Sequence, residues 1–177
     1  LYMGRVRKDK GIEDFIGLAR HLSLLPGNGL SLSLMGGMDD SNSYINSIVK
    51  KAVEKGLVTR IEFSYDNIKY LKSSDILLLC SRHEGMPTII LESMANWVIP
   101  LSASLPVIDE LRNMGAKIFT YIPGDVQSLY KAIQEIKKLT SYEIVAIKNK
   151  NNKFVSKYFN QDAIANLQYG YFSEVAK

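Results

Sequence analysis

The residues best placed to do chemistry lie in one stretch, Ser81-Arg82-His83-Glu84-Gly85-Met86-Pro87-Thr88-Ile89-Ile90-Leu91-Glu92. Two carboxylates, Glu84 and Glu92, flank a turn that carries Gly85 and Pro87. Proline suits the first helical position, where the donor it lacks would have no partner. A helix is therefore expected to begin near Pro87 or Thr88. Free backbone donors on Met86, Thr88 and Ile89, together with the helix dipole, would favour an anion there. That is a phosphate site in outline. Bare carboxylates beside a phosphate repel it, so hydroxyl groups are the natural reason for two of them, one holding a ribose and the other a sugar. Glu84 lies in the turn. Glu92 lies more than a helical turn further on, leaning back toward the helix start, so both can reach one pocket. Glutamates in isolation are usually solvated loop or helix residues, and it is the surrounding pattern that favours a site.

The elements that must hold these residues follow from the rest of the chain. Ile76-Leu77-Leu78-Leu79-Cys80, just before the turn, is a short unbroken apolar run, as expected of a parallel strand covered on both faces. Residues 1–3 read as the end of a strand, 30–35 as another, and 60–63, 98–102 and 117–121 as further strands. Ile12, Phe15, Ile16, Ala19 and Leu22 form a helical stripe. A second helix, capped by Ser41 or Ser43, is expected to run to Lys55, with a small one over 68–73. Later helices are expected over 126–139, 142–158 and 161–175, and residues 101–106 read as a short turn. Alternating strands and helices predict an α/β fold, a Rossmann-like doubly wound parallel sheet flanked by helices. Ligands of such sheets bind beyond the carboxyl ends of the strands. Three turns converge there: the basic Arg5-Val6-Arg7-Lys8-Asp9-Lys10 turn, Gly36-Gly37, and the segment from Glu84 to Ile89. Each alone has a bland reading, as a solvated loop or an ordinary turn.

With 177 residues and 46% hydrophobic content, the chain is large enough for one domain with a sizeable core. A net charge of +4 does not imply nucleic-acid binding, and part of it is concentrated in the first basic turn. Lys137, Lys138, Lys148, Lys150, Lys153 and Lys157 form a late basic group that reads first as a solvated face and second as a peripheral membrane contact. No apolar run approaches the roughly 20 residues that span a bilayer. Cys80 reads as a buried structural thiol, compatible with a reducing cytoplasm. His83 reads first as loop structure and second as a hydrogen-bonding aid at the sugar or phosphate, Arg82 is open between the same two readings, and nothing suggests a metal site or a histidine triad.

The chain resembles the C-terminal domain of the retaining GT-B glycosyltransferases of family 4. Glu84 and Glu92 match the E-x7-E motif, and Gly4-Arg5-Val6-Arg7-Lys8-Asp9-Lys10-Gly11 is similar to the G-R-x4-K-G segment. Phe63-Ser64-Tyr65-Asp66-Asn67-Ile68 and Ile122-Pro123-Gly124-Asp125 extend the resemblance over most of the chain. Trp97 stands where the family commonly has glycine, and Gly36-Gly37-Met38 lacks the frequent G-x-G spacing.

The resemblance implies one half of a GT-B fold, a nucleotide-sugar-binding domain spanning 1–177, with the N-terminal acceptor domain lying outside this chain. It implies a hexosyltransferase-type enzyme that moves a sugar from a nucleotide diphosphate sugar, with UDP or GDP as carrier, to a glycan or lipid-linked acceptor in polysaccharide biosynthesis. Arg5 and Lys10 would bind the diphosphate and Glu84 would contact the transferred sugar. Glu92 would hold the ribose, and the backbone of Gly85, Met86, Pro87, Thr88 and Ile89 would cradle the phosphates. Gly4 and Gly36 would admit the nucleotide, with Tyr65 and Asn67 bordering the base. No metal or other cofactor is required by this arrangement. A cytoplasmic location, peripheral at the inner face of the cytoplasmic membrane, is the matching expectation, and the isolated piece is expected to bind nucleotide but turn over little. A non-catalytic nucleotide-sugar-binding or regulatory domain and a flavodoxin-like interaction module are the alternatives.

Overall fold

The computed structural model describes residues 1–25, 27–38, 42–62 and 67–160, with Asn67 described by its backbone only. Six strands form one sheet: β1 (Tyr2–Met3), β2 (Ser33–Met35), β3 (Thr59–Ile61), β4 (Ile76–Leu79), β5 (Ile99–Ala103) and β6 (Phe119–Tyr121). Every pairing is parallel and the order is β3-β2-β1-β4-β5-β6. This is the order of doubly wound dinucleotide-binding sheets, and its direction of winding reverses between β1 and β4. The apolar run expected to be a buried strand is β4, and β5 beside it is buried along its whole length. Several strands are shorter than the sequence suggests. β2 starts at Ser33 rather than residue 30, where the Asn28 side chain instead accepts the Leu30 N–H at 2.9 Å and keeps the backbone in a turn.

Seven helices flank the sheet among the described residues. In α1 (Ile12–Ser23) the expected stripe is buried, and Asp14 is buried with it. The helix α2 (Ser43–Glu54) is capped by Asn42, not by either serine, because its side chain accepts the Ile45 N–H at 3.0 Å. After α3 (Asn67–Lys72), α4 (Thr88–Ala95) begins directly behind Pro87 as the sequence predicts. The segment read as a turn runs straight into a helix, α5 (Pro106–Asn113), whose first position is the proline. In α6 (Val126–Lys137) the Asp125 carboxylate caps Gln127 and Ser128, and α7 (Ser141–Tyr158) opens with a Thr140–Glu143 capping box. The helix expected over 161–175 lies outside the described residues.

Alternation along the strands divides the core in two. Leu78 and Leu101 turn toward Phe15, Ile45 and Ile133 of α1, α2 and α6. Leu77 and Leu79 turn toward Ile90, Met94, Ile108 and Phe154 of α4, α5 and α7. The backbone takes an unusual conformation at the end of α4. There Trp97 has a left-handed φ of 62°, and Val98 N–H closes back onto Ser93 C=O at 2.9 Å. That position of the helix stop favours glycine, so tryptophan there costs roughly 1–2 kcal/mol.

Candidate functional site

The turns after β1 and β2 on the carboxyl edge are joined by backbone bonds. Gly4 N–H donates to Met35 C=O at 3.0 Å and Val6 N–H to Gly37 C=O at 2.9 Å, which stitches the turn after β1 to the turn after β2. A Cβ on Gly36 would lie 1.8 Å from the Gly4 carbonyl oxygen, so the close approach that requires glycine here is made by the chain itself. Arg60 reaches across from β3 and donates to Gly36 C=O at 2.9 Å, holding the same turn. Gly11, left-handed with φ 64°, leaves no room for a Cβ against the Cys80 carbonyl, and so presses the basic turn onto the end of β4.

That contact brings Lys10 to Glu84. The Lys10 ammonium donates to Glu84 Oε1 at 2.7 Å, and the Ser81 hydroxyl donates to the same oxygen at 2.6 Å. The Tyr2 hydroxyl lies beneath, directed at the carbonyl oxygens of Arg5 and Lys10 at 3.0 and 3.3 Å. Burial raises the pKa of Tyr2 above its ordinary value and thus keeps it a neutral donor. Burial also pushes the Cys80 thiol up to about 12, which makes it inert, as its place in the strand suggests.

A cavity of about 180 Å³ opens at this point, lined by Met3, Lys10, Ser81, Glu84, Met86 and Thr88 among others. The N–H groups of Met86 and Ile89 donate to no protein acceptor among the described residues. The Thr88 N–H differs from expectation, since it is taken up by Met86 C=O at 2.9 Å and is not free for an anion. A cation, a carboxylate and unspent backbone donors at a helix start therefore share one wall. A second cavity of about 210 Å³ sits at the opposite, amino ends of the strands, lined by Leu18, Leu30, Ser33, Tyr70 and Asp75 among others. No lysine or arginine lines it, so it offers a diphosphate nothing.

Not every expected residue converges. Glu92 is on the exposed side of α4 and does not line the 180 Å³ cavity, unlike Glu84. Arg5 is exposed and likewise stands outside its lining. Gly85 and His83 are exposed in the turn. Tyr65 lies outside the described residues, and Asn67 opens α3 with its side chain undescribed.

One cluster was not singled out by sequence reasoning. Arg82 forms two bonds to Asp14, Nη1 to Oδ2 at 2.6 Å and Nη2 to Oδ1 at 2.7 Å. The Tyr121 hydroxyl and the Gly124 N–H also donate to Asp14 Oδ2, at 2.8 and 3.0 Å. Burial alone would raise the Asp14 pKa, but the bonds from Arg82, Gly124 and Tyr121 outweigh it and hold the carboxyl below its ordinary value. The bond to Asp14 likewise raises Arg82. The available signal was an aspartate one position before Phe15 on the apolar stripe of α1, but an acidic residue in a first helical turn is ordinarily explained by the dipole.

Among the described residues no group of three histidine, cysteine, aspartate or glutamate side chains gathers as a metal site would, and no helix is long and apolar enough to cross a membrane. The model of the family "Glycosyl transferases group 1" matches residues 1–155. Comparison with curated sequences gives no match. Among solved structures the chain is similar to HepE of Anabaena in complex with UDP, with a TM-score of 0.81 at 20% identity over 98% of this chain and 48% of that one. A glycosyltransferase from Rickettsia africae gives 0.81 at 17% identity over 99% and 48%. The C-terminal domain of LpcC, a glycosyl transferase group 1 protein of Francisella tularensis, gives 0.74 at 19% identity over 90% and 85%. The chain thus spans about half the length of the first two and has the Rossmann-like fold of GT-B glycosyltransferases.

Proposed function

Because this chain belongs to the glycosyl transferases group 1 family, we propose that it is the donor-binding half of a retaining, family 4 hexosyltransferase that takes its sugar from a nucleotide diphosphate carrier. The observation that carries this reading is the Lys10–Glu84 pair at 2.7 Å, set beside the unspent Met86 and Ile89 N–H groups where β1 and β4 diverge. A diphosphate arriving there competes with Glu84 for the Lys10 ammonium. Lys10 and the start of α4, joined by the exposed Arg5, then stabilise the charge that grows on the departing phosphate. Glu84, released from Lys10 but still bonded to Ser81, is free to accept hydrogen bonds from hydroxyls of the transferred sugar and fix its orientation.

Glu92, on the outer side of α4, is assigned to the ribose, and Tyr65 and Asn67 to the rim of the base. Gly4 and Gly36 would shape the floor beneath the nucleotide. UDP is the first carrier to test, since HepE is solved with UDP and with UDP and glucose, and GDP is the second. The acceptor, a glycan or a lipid-linked precursor of a polysaccharide, would meet the sugar from a second domain. The proposed setting is cytoplasmic, at the inner face of the membrane.

Calorimetric titration with UDP, GDP and ADP tests the reading. One nucleotide should bind the chain, with affinity lowered by Glu92→Ala and by Lys10→Ala. A folded chain that binds none of the three would overturn the donor site. Binding that is indifferent to Lys10→Ala would displace it from this cavity. Donor turnover by the 177 residues alone should be negligible.

A further inference from the structure

We propose that Asp14 and Arg82 are positioning residues of the site: their half-buried, bidentate ion pair holds the turn bearing Glu84 against the turn bearing Lys10, so that the Lys10–Glu84 pair is free to open for a ligand. The inference rests on the donor-site reading above for what the ligand is, but not for the geometry.

Both pairs connect the same two segments. Lys10, in the basic turn just before α1, and Asp14, in the first turn of α1, lie four residues apart, and Arg82 and Glu84 lie two residues apart in the β4–α4 turn. The turn 81–87 has few other ties to α1. Arg82 N–H donates to Asp9 C=O at 2.8 Å, whereas His83, Gly85 and Met86 are exposed. A phosphate that draws Lys10 away from Glu84 removes one of these ties at the moment the turn must stay in register. The Asp14–Arg82 pair is the side-chain tie that remains, beside the backbone bond from Arg82 to Asp9. It is bidentate, and a planar guanidinium fork on a carboxylate fixes orientation as well as distance.

Asp14 is itself held on a third side. Tyr121 at the end of β6 and Gly124 in the following turn both donate to it, so three segments meet on one carboxylate that is only 4% exposed. Burial and bonding to Asp14 both raise the Tyr121 pKa and keep its hydroxyl protonated as a donor. Because two neutral donors aim at position 14, the charges of the pair cannot be exchanged. Arginine at 14 would leave Tyr121 and Gly124 facing further donors.

The test uses the full 177-residue chain with Asp14→Asn and, separately, Arg82→Lys, which keeps the cation but not the fork. Melting midpoints well above the assay temperature establish that each variant is folded. Two readouts follow: the Nζ resonance of Lys10 in a proton–nitrogen NMR spectrum, assigned with Lys10→Arg, and calorimetric affinity for UDP. Loss of the Glu84-bonded Lys10 signature, with UDP binding weakened about tenfold, is expected in both variants, and less in Arg82→Lys. A folded variant that keeps either the signature or wild-type affinity overturns the proposal and leaves the pair a purely structural brace. Should Asp14→Asn not fold, Arg82→Lys decides. If the unmodified chain binds no UDP, the donor reading falls and the Lys10 signature alone decides.

Discussion

Two ion pairs cross between the same two turns, yet they are built for different fates. At Lys10–Glu84 the side chains are 28% and 16% exposed, a single 2.7 Å bond joins them, and the remaining partner is one serine hydroxyl. At Asp14–Arg82 the carboxylate is 4% exposed and accepts from two guanidinium nitrogens, a phenol and a backbone amide. A carboxylate so fully bonded has no capacity left for a ligand, whereas Glu84 keeps a free oxygen beside a cavity. The two cations are equally exposed, Arg82 at 29% and Lys10 at 28%, so it is the buried, saturated carboxylate that makes the inner pair a brace and the accessible one with spare capacity that makes the outer pair a site.

Three perturbations would break or sharpen that contrast. The largest effect is expected from Asp14→Ala, which leaves the buried Tyr121 hydroxyl without its acceptor while Arg82 turns to solvent; a stranded buried donor costs about 1–3 kcal/mol, readable as a fall in urea midpoint. Acid comes next. The Asp14 carboxyl is held below its ordinary 3.8, so the stability it contributes is complete above that pH and is lost as pH falls below 3.8 through the folded-state value. Urea midpoints measured from pH 5 down to pH 2 should therefore fall more steeply for the unmodified chain than for Asp14→Asn. The smallest change in stability belongs to Lys10→Ala, about 0–1 kcal/mol, because Glu84 keeps Ser81 and solvent. That substitution should nonetheless weaken nucleotide binding by roughly tenfold. An equal stability loss at Lys10 and Asp14 would erase the distinction between brace and site.

The parts legible in the sequence were those encoded locally. The apolar run into β4, the proline before α4 and the stripe of α1 each declare themselves within a dozen residues, and they predicted the parallel sheet and the place where α4 starts. The motif residues Lys10 and Glu84 were legible as candidates, though not as partners. Elsewhere local signals were present but outweighed. Pro106 marks the first position of α5 as clearly as Pro87 marks the approach to α4, yet residues 101–106 read as a turn, although 101–103 continue β5. Asn42, rather than a neighbouring serine, caps α2, a choice among three competent side chains that the backbone path decides. Glu92 was expected in the pocket from helical geometry alone, but periodicity fixes the spacing of side chains along a helix and not how far the helix is turned about its axis. Packing of Ile90 and Met94 into the core sets that rotation and leaves Glu92 beyond the lining of the 180 Å³ cavity, on the outer side of α4 where the ribose is proposed to lie.

By itself the sequence determined the alternation of elements, the edge of the sheet where the turns gather and the residue types brought there, because backbone propensity and apolar periodicity act over a few residues. Which charges pair was decided only by the tertiary structure. Lys10 meets Glu84 across 74 positions and Asp14 meets Arg82 across 68, with the Gly124 amide joining from 110 away. Those distances close only after the sheet has set β1, β4 and β6 in order, and the depth at which each pair then lies decides whether its carboxylate is saturated by the protein or left open to a ligand.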